Sequence, residues 1–282
     1  MVEPQSLELL MSNLDLYHEV LEEAKGYKEG LPAVAYRCLK DSKRTLTLMG
    51  IISKHTQKGQ IGVDLGAGTG ILGLTFLNAG GKFVHLVDSS GDSVDFIEDL
   101  ARRLGFSSRI GVYEGDATMF RPKSEIDFVI AELIDTGLAE EPFVQAVINI
   151  RNLTHRDTVY VPQKAVSTIA IYHNNQRLSE EKIYDSFDAT SDQRTCVNRR
   201  VQVRIIQNGI PTRATLRTEL YYRNGQSTSE FNSLCVPRFV HLYPKGEVEK
   251  DDKITISIRY GYGERNISVY GRQQKRILFN SI

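Results

Sequence analysis

The chain has 282 residues, room for two modest domains, and its 41% hydrophobic and 25% charged residues are the balance of an ordinary folded protein. Lys and Arg number 35 and Asp and Glu 35, so no bulk field draws the chain to nucleic acid or to an anionic membrane. Cys38, Cys196 and Cys235 form no C-x-x-C pair and the six histidines are scattered, which argues against a disulfide scaffold and against a metal site.

The start, Met1-Val2-Glu3-Pro4-Gln5, is neither basic nor followed by an apolar core, so no signal peptide is expected. No apolar run approaches the roughly 20 residues that span a bilayer. The expectation is a cytoplasmic protein with no membrane partner. Two local basic stretches stand out, Arg199-Arg200 to Arg204 and Arg272 to Arg276. They read either as patches or, more blandly, as solvated strand faces and a charged terminus.

Residues 6–25 carry Leu7, Leu10, Leu14, Tyr17, Val20 and Leu21 at helical spacing. Ser12 and Asp15 form a capping-box pattern inside this stretch, which predicts two short helices. Gly26, Gly30 and Pro32 end it, and a second helical stretch follows over 33–54, interrupted near Asp41. Strand and helix then alternate: strand 61–65, helix 71–78, strand 82–87, helix 92–104, and strands 109–113 and 126–131. Such alternation means βαβ units and a parallel sheet. From about residue 157 it gives way to strands over 158–172, 197–207, 214–222, 231–242 and 253–260. Asn208-Gly209 and Asn224-Gly225 mark turns between them. The expected architecture is α/β: an N-terminal helical segment over 1–55, a Rossmann-like doubly wound sheet over 56–157, and a smaller antiparallel β-barrel or sandwich over 158–282.

The first strand runs into Gly66-Ala67-Gly68-Thr69-Gly70, followed by Ile71 where a dinucleotide fingerprint has Gly or Ala. That counts against NAD or FAD. Glycines let a ligand approach the backbone, and the next helix start offers free N–H groups. Asp88 ends the next strand about twenty residues on, where a carboxylate accepts from ribose hydroxyls. Asp116, in Gly115-Asp116-Ala117 after the third strand, is placed to accept from an adenine amino group. Asp64 is expected near a positive sulfonium and amine. Taken singly, Asp88 reads as a helix cap and Asp116 as a turn residue. In register after successive strands, they fit a ligand with an adenosine, no phosphate and a cationic amino-acid tail, which is S-adenosyl-L-methionine (SAM).

At these residues the chain resembles the protein arginine methyltransferases, which are class I SAM-dependent enzymes. Leu39-Lys40-Asp41-Ser42-Lys43-Arg44 looks like the family's segment ahead of the first strand, and the resemblance implies that Arg44 pairs with the cofactor carboxylate. The loop from Glu132 to Glu141 resembles the family's double-glutamate hairpin. The resemblance then implies that Glu132 and Glu141 grip a substrate guanidinium, with Glu140 an exposed neighbour. Val161-Pro162-x-x-Ala165 is similar to the family's crossing into its β domain.

The chain departs from the family where a Thr-His-Trp segment supports the active-site loop, reading Ser233-Leu234-Cys235-Val236-Pro237-Arg238-Phe239 instead. His241 nearby reads as a strand residue. The family's N-terminal tyrosine-rich helix is not clearly present, with Tyr17 or Tyr27 as substitutes. The polar stretch 179–194 reads either as a shortened dimerisation arm or as a surface loop, leaving a homodimer as an expectation. The function expected is methyl transfer to a nitrogen, best matched by a protein arginine side chain. The alternatives are a small-molecule substrate with a cationic nitrogen, or a SAM-binding scaffold or regulatory partner without turnover. No N/D-P-P-Y/F segment follows the fourth strand and no Pro-Cys pair is present, so nucleic-acid methylation is not indicated.

Overall fold

The computed structural model describes residues 4–27, 31–223, 225–227, 236–273 and 276–281. Gly30, Asn224 and the Ser233-Leu234-Cys235 segment lie outside the described residues. The chain divides into two compact units. The first holds residues 1–133, 146–163 and 222–224; the second holds 134–145, 164–221 and 225–282.

The first unit opens with helix α1 (Pro4–Gly26), one continuous helix where two were expected. Ser12 does not cap, because its hydroxyl accepts from Asn78 Nδ2 at 2.8 Å. Neighbouring Asn13 donates to Ser53 Oγ at 2.9 Å. Two tertiary hydrogen bonds thus compete with the local cap. Helix α2 (Ala33–Lys40) stops at Asp41, whose carboxylate accepts from the Arg44 N–H and so caps α3 (Ser42–His55).

The parallel strands follow: β1 (Ile61–Leu65), β2 (Phe83–Asp88), β3 (Ile110–Glu114), β4 (Ile126–Ala131) and β5 (Thr154–Val161). Helices α4 (Ile71–Asn78), α5 (Gly91–Arg103) and α6 (Phe143–Arg151) connect them. β1, β2 and β4 are nearly continuous apolar runs because a parallel sheet is covered on both faces. α4 is buried from Ile71 to Leu77 and fills the core beneath them. The order is β3-β2-β1-β4-β5, so the winding reverses between β1 and β4.

The second unit is antiparallel. One sheet runs β11 (Arg238–His241), β10 (Arg213–Tyr221), β6 (Lys164–His173) and β7 (Gln176–Arg177), with β8 (Lys182–Asp188) also paired to β6. The other runs β12 (Tyr243–Pro244), β15 (Arg276–Asn280), β14 (Ser268–Gln273), β13 (Lys253–Gly261) and β9 (Cys196–Arg204). The described strands form two five-stranded sheets rather than a closed barrel. The stretch read as an arm or a surface loop contains β8, which is registered on β6 from Ile169↔Lys182 to Lys164↔Asp188. Its polarity has an interior cause. Buried Asp185 accepts from Arg194 Nη1 at 2.6 Å and Arg199 Nε at 3.3 Å, and also from the Tyr262 hydroxyl.

The segment after β4 is sewn into this second unit. Gly137 (φ 83°) donates its N–H to Thr218 Oγ1 at 2.7 Å, and its carbonyl accepts from the Tyr260 hydroxyl at 2.8 Å. Tyr184 meets Tyr260 hydroxyl to hydroxyl at 3.0 Å. Burial pushes the pKa of both phenols up, so both keep their protons and the Tyr260 hydroxyl stays a donor. Tyr260→Phe strands the buried Gly137 carbonyl and is expected to lower stability by about 1–3 kcal/mol in urea denaturation. An unchanged midpoint would mean that the hydroxyl carries none of the clamp.

Candidate active site

In open α/β sheets the crevice for a ligand lies outside the carboxyl ends of the strands, where the strand order reverses. Here that point is flanked by β1 and β4, whose last residues are level, Leu65 beside Ala131. The glycine loop leaves one strand and Glu132 leaves the other. Asp88 and Glu114 end β2 and β3 and are likewise paired in register. The fold therefore brings the glycine loop, Asp88, Glu114 and Glu132 to the carboxyl ends of neighbouring strands. Glu114, exposed there, is not singled out by the sequence, where the third strand reads as ending at Tyr113, one residue short of it.

Gly66, Gly68 and Gly70 all have positive φ (74°, 57° and 74°), the backbone region that favours glycine. Their surroundings differ. A Cβ on Gly66 would overlap the Leu133 side chain, and one on Gly70 would press on Ile97 at 3.0 Å. Those two glycines serve the protein's own packing. At Gly68 the nearest atom is Ala35 Cβ at 3.5 Å. Its N–H donates to Asp88 Oδ2 at 2.7 Å, while Oδ1 accepts from the Ser90 N–H at 3.0 Å. A carboxylate has about four lone-pair sites, so Asp88 braces the loop and still has capacity to accept from a diol.

Asp116 is exposed and accepts from the Thr118 N–H at 2.8 Å, a turn contact that leaves its other oxygen open. Asp64 is placed differently from the expectation. It is 1% exposed, and its Oδ2 accepts from the Gly73 N–H at 2.9 Å, tying β1 to the first turn of α4. Burial, with some help from the Asp88 charge, pushes its pKa up to about 7 against the opposing Gly73 bond. Asp64 supports the loop from beneath.

Arg44 is 6% exposed, and its Nη2 donates to Glu132 Oε2. The residue expected on a cofactor carboxylate and the residue expected on a substrate thus meet each other. Guanidinium has five N–H donors, so Arg44 can hold Glu132 and a second carboxylate together. Glu141 belongs to the second unit, where the N–H groups of Glu140 and Glu141 donate to Asp135 Oδ1 at 3.0 and 3.2 Å. Glu140 is more than an exposed neighbour, since Arg238 Nη2 pairs with it at 2.6 Å and Arg238 Nη1 with Asp135 at 3.4 Å. Arg238 braces the loop beside the stretch where the Thr-His-Trp motif is lacking. His241 lies on β11, stacked edge-on against Tyr243. Tyr17 is buried and donates to the Leu39 carbonyl at 3.2 Å, and Tyr27 packs edge-on against Phe96. Both tyrosines therefore make contacts within the first unit.

The arrangement has a Rossmann-like sheet with an acid-lined glycine loop, followed by an antiparallel β unit, which is the class I methyltransferase architecture with an appended β domain. Solved structures of the protein arginine methyltransferases share it. The Trypanosoma brucei PRMT1 enzyme-prozyme complex with AdoHcy superposes with TM-score 0.73 at 15% identity, covering 88% of this chain and 96% of that one. Arabidopsis thaliana protein arginine methyltransferase 10 gives 0.69 at 15% identity, over 86% and 94%. In sequence, the chain is 28% identical over 254 residues to an uncharacterized protein of Methanocaldococcus jannaschii, covering 85% of this chain and 96% of that one. It is 30% identical over 166 residues to the probable protein arginine N-methyltransferase 1.2 of Arabidopsis thaliana, covering 57% of this chain and 45% of that one. The arginine methyltransferases named by sequence are thus matched over less than half their length. No protein-family model matches the chain. The resemblance to protein arginine methyltransferases holds in sequence and in fold.

The pKa of Asp64 is raised on folding, from 3.8 to about 7, so the folded state binds its proton more tightly than the unfolded state. Stability contributed by this group therefore falls as pH rises from about 4 to about 7, by up to about 4 kcal/mol, and is level above. Asp64→Asn, which can still accept from Gly73, is expected to flatten that part of the pH–stability curve. A wild-type slope retained in the variant would assign the titration elsewhere. For the buried ion pair, Glu132→Ala leaves the Arg44 guanidinium unpaired and is expected to cost about 3 kcal/mol. Adding Arg44→Met should recover most of it in the same urea titration, and a double variant no more stable than the single would remove the coupling.

Proposed function

We propose that the chain is a SAM-dependent methyltransferase that acts on a cationic nitrogen, with a protein arginine side chain as the substrate class. One observation carries the reading: the glycine loop after β1 and Glu132 after β4, paired with Arg44 of α3, border the crevice where the sheet winding reverses, with Asp88 at the adjoining strand end. The AdoHcy held in the Trypanosoma complex supports the cofactor assignment. When bound, SAM supplies a methyl group made electrophilic by its sulfonium.

The chain's own residues supply binding and positioning. Asp88, with half its acceptor sites free, takes ribose hydroxyls; Arg44 takes a carboxylate on donors that Glu132 leaves unused. Guanidinium is a poor nucleophile because its lone pairs are delocalised and its pKa exceeds about 12. A fixed carboxylate such as Glu132 orients it, draws its positive charge away from the attacking nitrogen and assists proton removal. Holding the nitrogen in line with the methyl group supplies most of the remaining acceleration. The resemblance gives Glu141 a second carboxylate role, to be tested by its own substitution.

Calorimetric titration with SAM and S-adenosylhomocysteine, with NAD as control, tests the cofactor first. Micromolar binding of the first two alone is the expected result, weakened at least about tenfold in Asp88→Ala through loss of hydrogen bonds to an ionised acceptor. Failure of both to bind would overturn the cofactor assignment and with it the methyltransferase reading. Glu132→Gln is expected to retain cofactor binding and to lose transfer to arginine-rich peptides by about 100-fold or more. Wild-type turnover in that variant would remove Glu132 from the chemistry.

A further inference from the structure

The two basic stretches that stand apart in the sequence come together in the second unit. β9 and β14 both pair with β13, so Arg200 and Arg272 face outward on the same side of one sheet, with Arg259 between them. The Arg199-Arg200 pair splits across the sheet. Arg199 turns to buried Asp185, and Arg200 joins the exposed face. In register across the three strands, one row holds Asn198, Arg259 and Ser268, the next Arg200, Ser257 and Tyr270, and the third Gln202, Thr255 and Arg272. Each row has one arginine, on a different strand, so like charges meet only on diagonals or farther, where neighbours stand about 7–8 Å apart. Six of these side chains, Arg200, Thr255, Ser257, Arg259, Tyr270 and Arg272, line a shallow groove of about 490 Å3.

Among the described residues no carboxylate pairs with Arg200, Arg259 or Arg272; Arg259 Nε donates to Asn198 Oδ1 at 3.2 Å. Acid enters only at the ends of the face: Asp251 lies 3.7 Å from Arg204 beside Lys253, and at the other end the Glu264 carboxylate sits over Gly261, two residues beyond Arg259. Folding gains nothing from three neighbouring guanidiniums without counter-charge. An external anion does, and arginine forks match phosphate bidentately. Tyr270, 39% exposed, sits among them, and an exposed aromatic ring on a cationic sheet offers a stacking platform for a base. The Ser257 and Thr255 hydroxyls add donors for phosphate or sugar oxygens.

We propose that this β9–β13–β14 face binds single-stranded nucleic acid, independently of the methyl-transfer site. Phosphates meet Arg200, Arg259 and Arg272, and a base stacks on Tyr270. The chain's formal net charge of zero conceals the face, because the compensating acids lie elsewhere.

The test is fluorescence anisotropy of the full chain with labelled oligouridylate and oligothymidylate of about a dozen nucleotides, titrated across salt concentrations. Three phosphate contacts predict a log–log salt slope of about −2, falling to about −0.7 in Arg200→Ser/Arg272→Ser with at least tenfold weaker binding. Tyr270→Ala should weaken binding about tenfold while leaving the slope unchanged, and Tyr270→Phe should bind like wild type. All three variants should keep the wild-type melting temperature, since the altered side chains are exposed. The proposal is overturned by absence of binding at low salt, or by unchanged affinity in the double arginine variant. It is equally overturned if phosphoserine peptides or phosphatidylserine vesicles bind this face and the oligonucleotides do not.

Discussion

The first unit depends on how a parallel sheet covers itself. β1 is hydrogen-bonded to β2 on one side and to β4 on the other, and the chain winds outward from it in opposite directions. Connections leaving two neighbouring strands toward opposite faces cannot fill the space above their carboxyl ends. That space is bordered by the glycine loop and by Glu132 for topological reasons. Buried polar groups around it then have to be satisfied. Asp64 does so through the α4 backbone, Asp88 through the loop, and Arg44 through Glu132.

The legible parts of the sequence were those in which local physics and global placement agree. A continuous apolar strand ending in three glycines can hardly be anything except a buried parallel strand and a turn with positive φ. Asp41 read as a helix boundary because a short acid at that point caps whatever follows. The less legible parts were governed by contacts remote in sequence. Ser12 carried a capping pattern and was claimed by Asn78. Strand β8 looked like a loop because Asp185, Arg194 and Arg199 each read as solvent-facing, although Asp185 is buried and takes both arginines from the surface. Strands β14 and β15 went unseen, being short and broken by Gly271 and a bulge.

The candidate site shows the same division. Spacing and resemblance single out Arg44, Asp88 and Glu132 as candidates, but not the pairing of Arg44 with Glu132, since 88 positions separate them. Arg238 carried no local signal. It acquires a role only when β11 places it against Asp135 and Glu140. Burial raises the pKa of Asp135, so an arginine nearby helps that carboxyl stay ionised while it accepts the loop's two N–H groups. A motif absent from the sequence therefore does not mean an unsupported loop.

The division of the chain at the end of β4 has a practical side. Residues 134–145 follow a strand of the first unit, yet Thr218 and Tyr260 hold their backbone in the second. Cutting the gene at the apparent seam near residue 163 would yield a fragment with the whole parallel sheet and an orphaned loop, its Gly137 amide and carbonyl without their partners. Swapping β units between related chains would meet the same difficulty. The interchangeable module is the β unit together with the loop that follows β4, so the chain has no single point at which it can be divided.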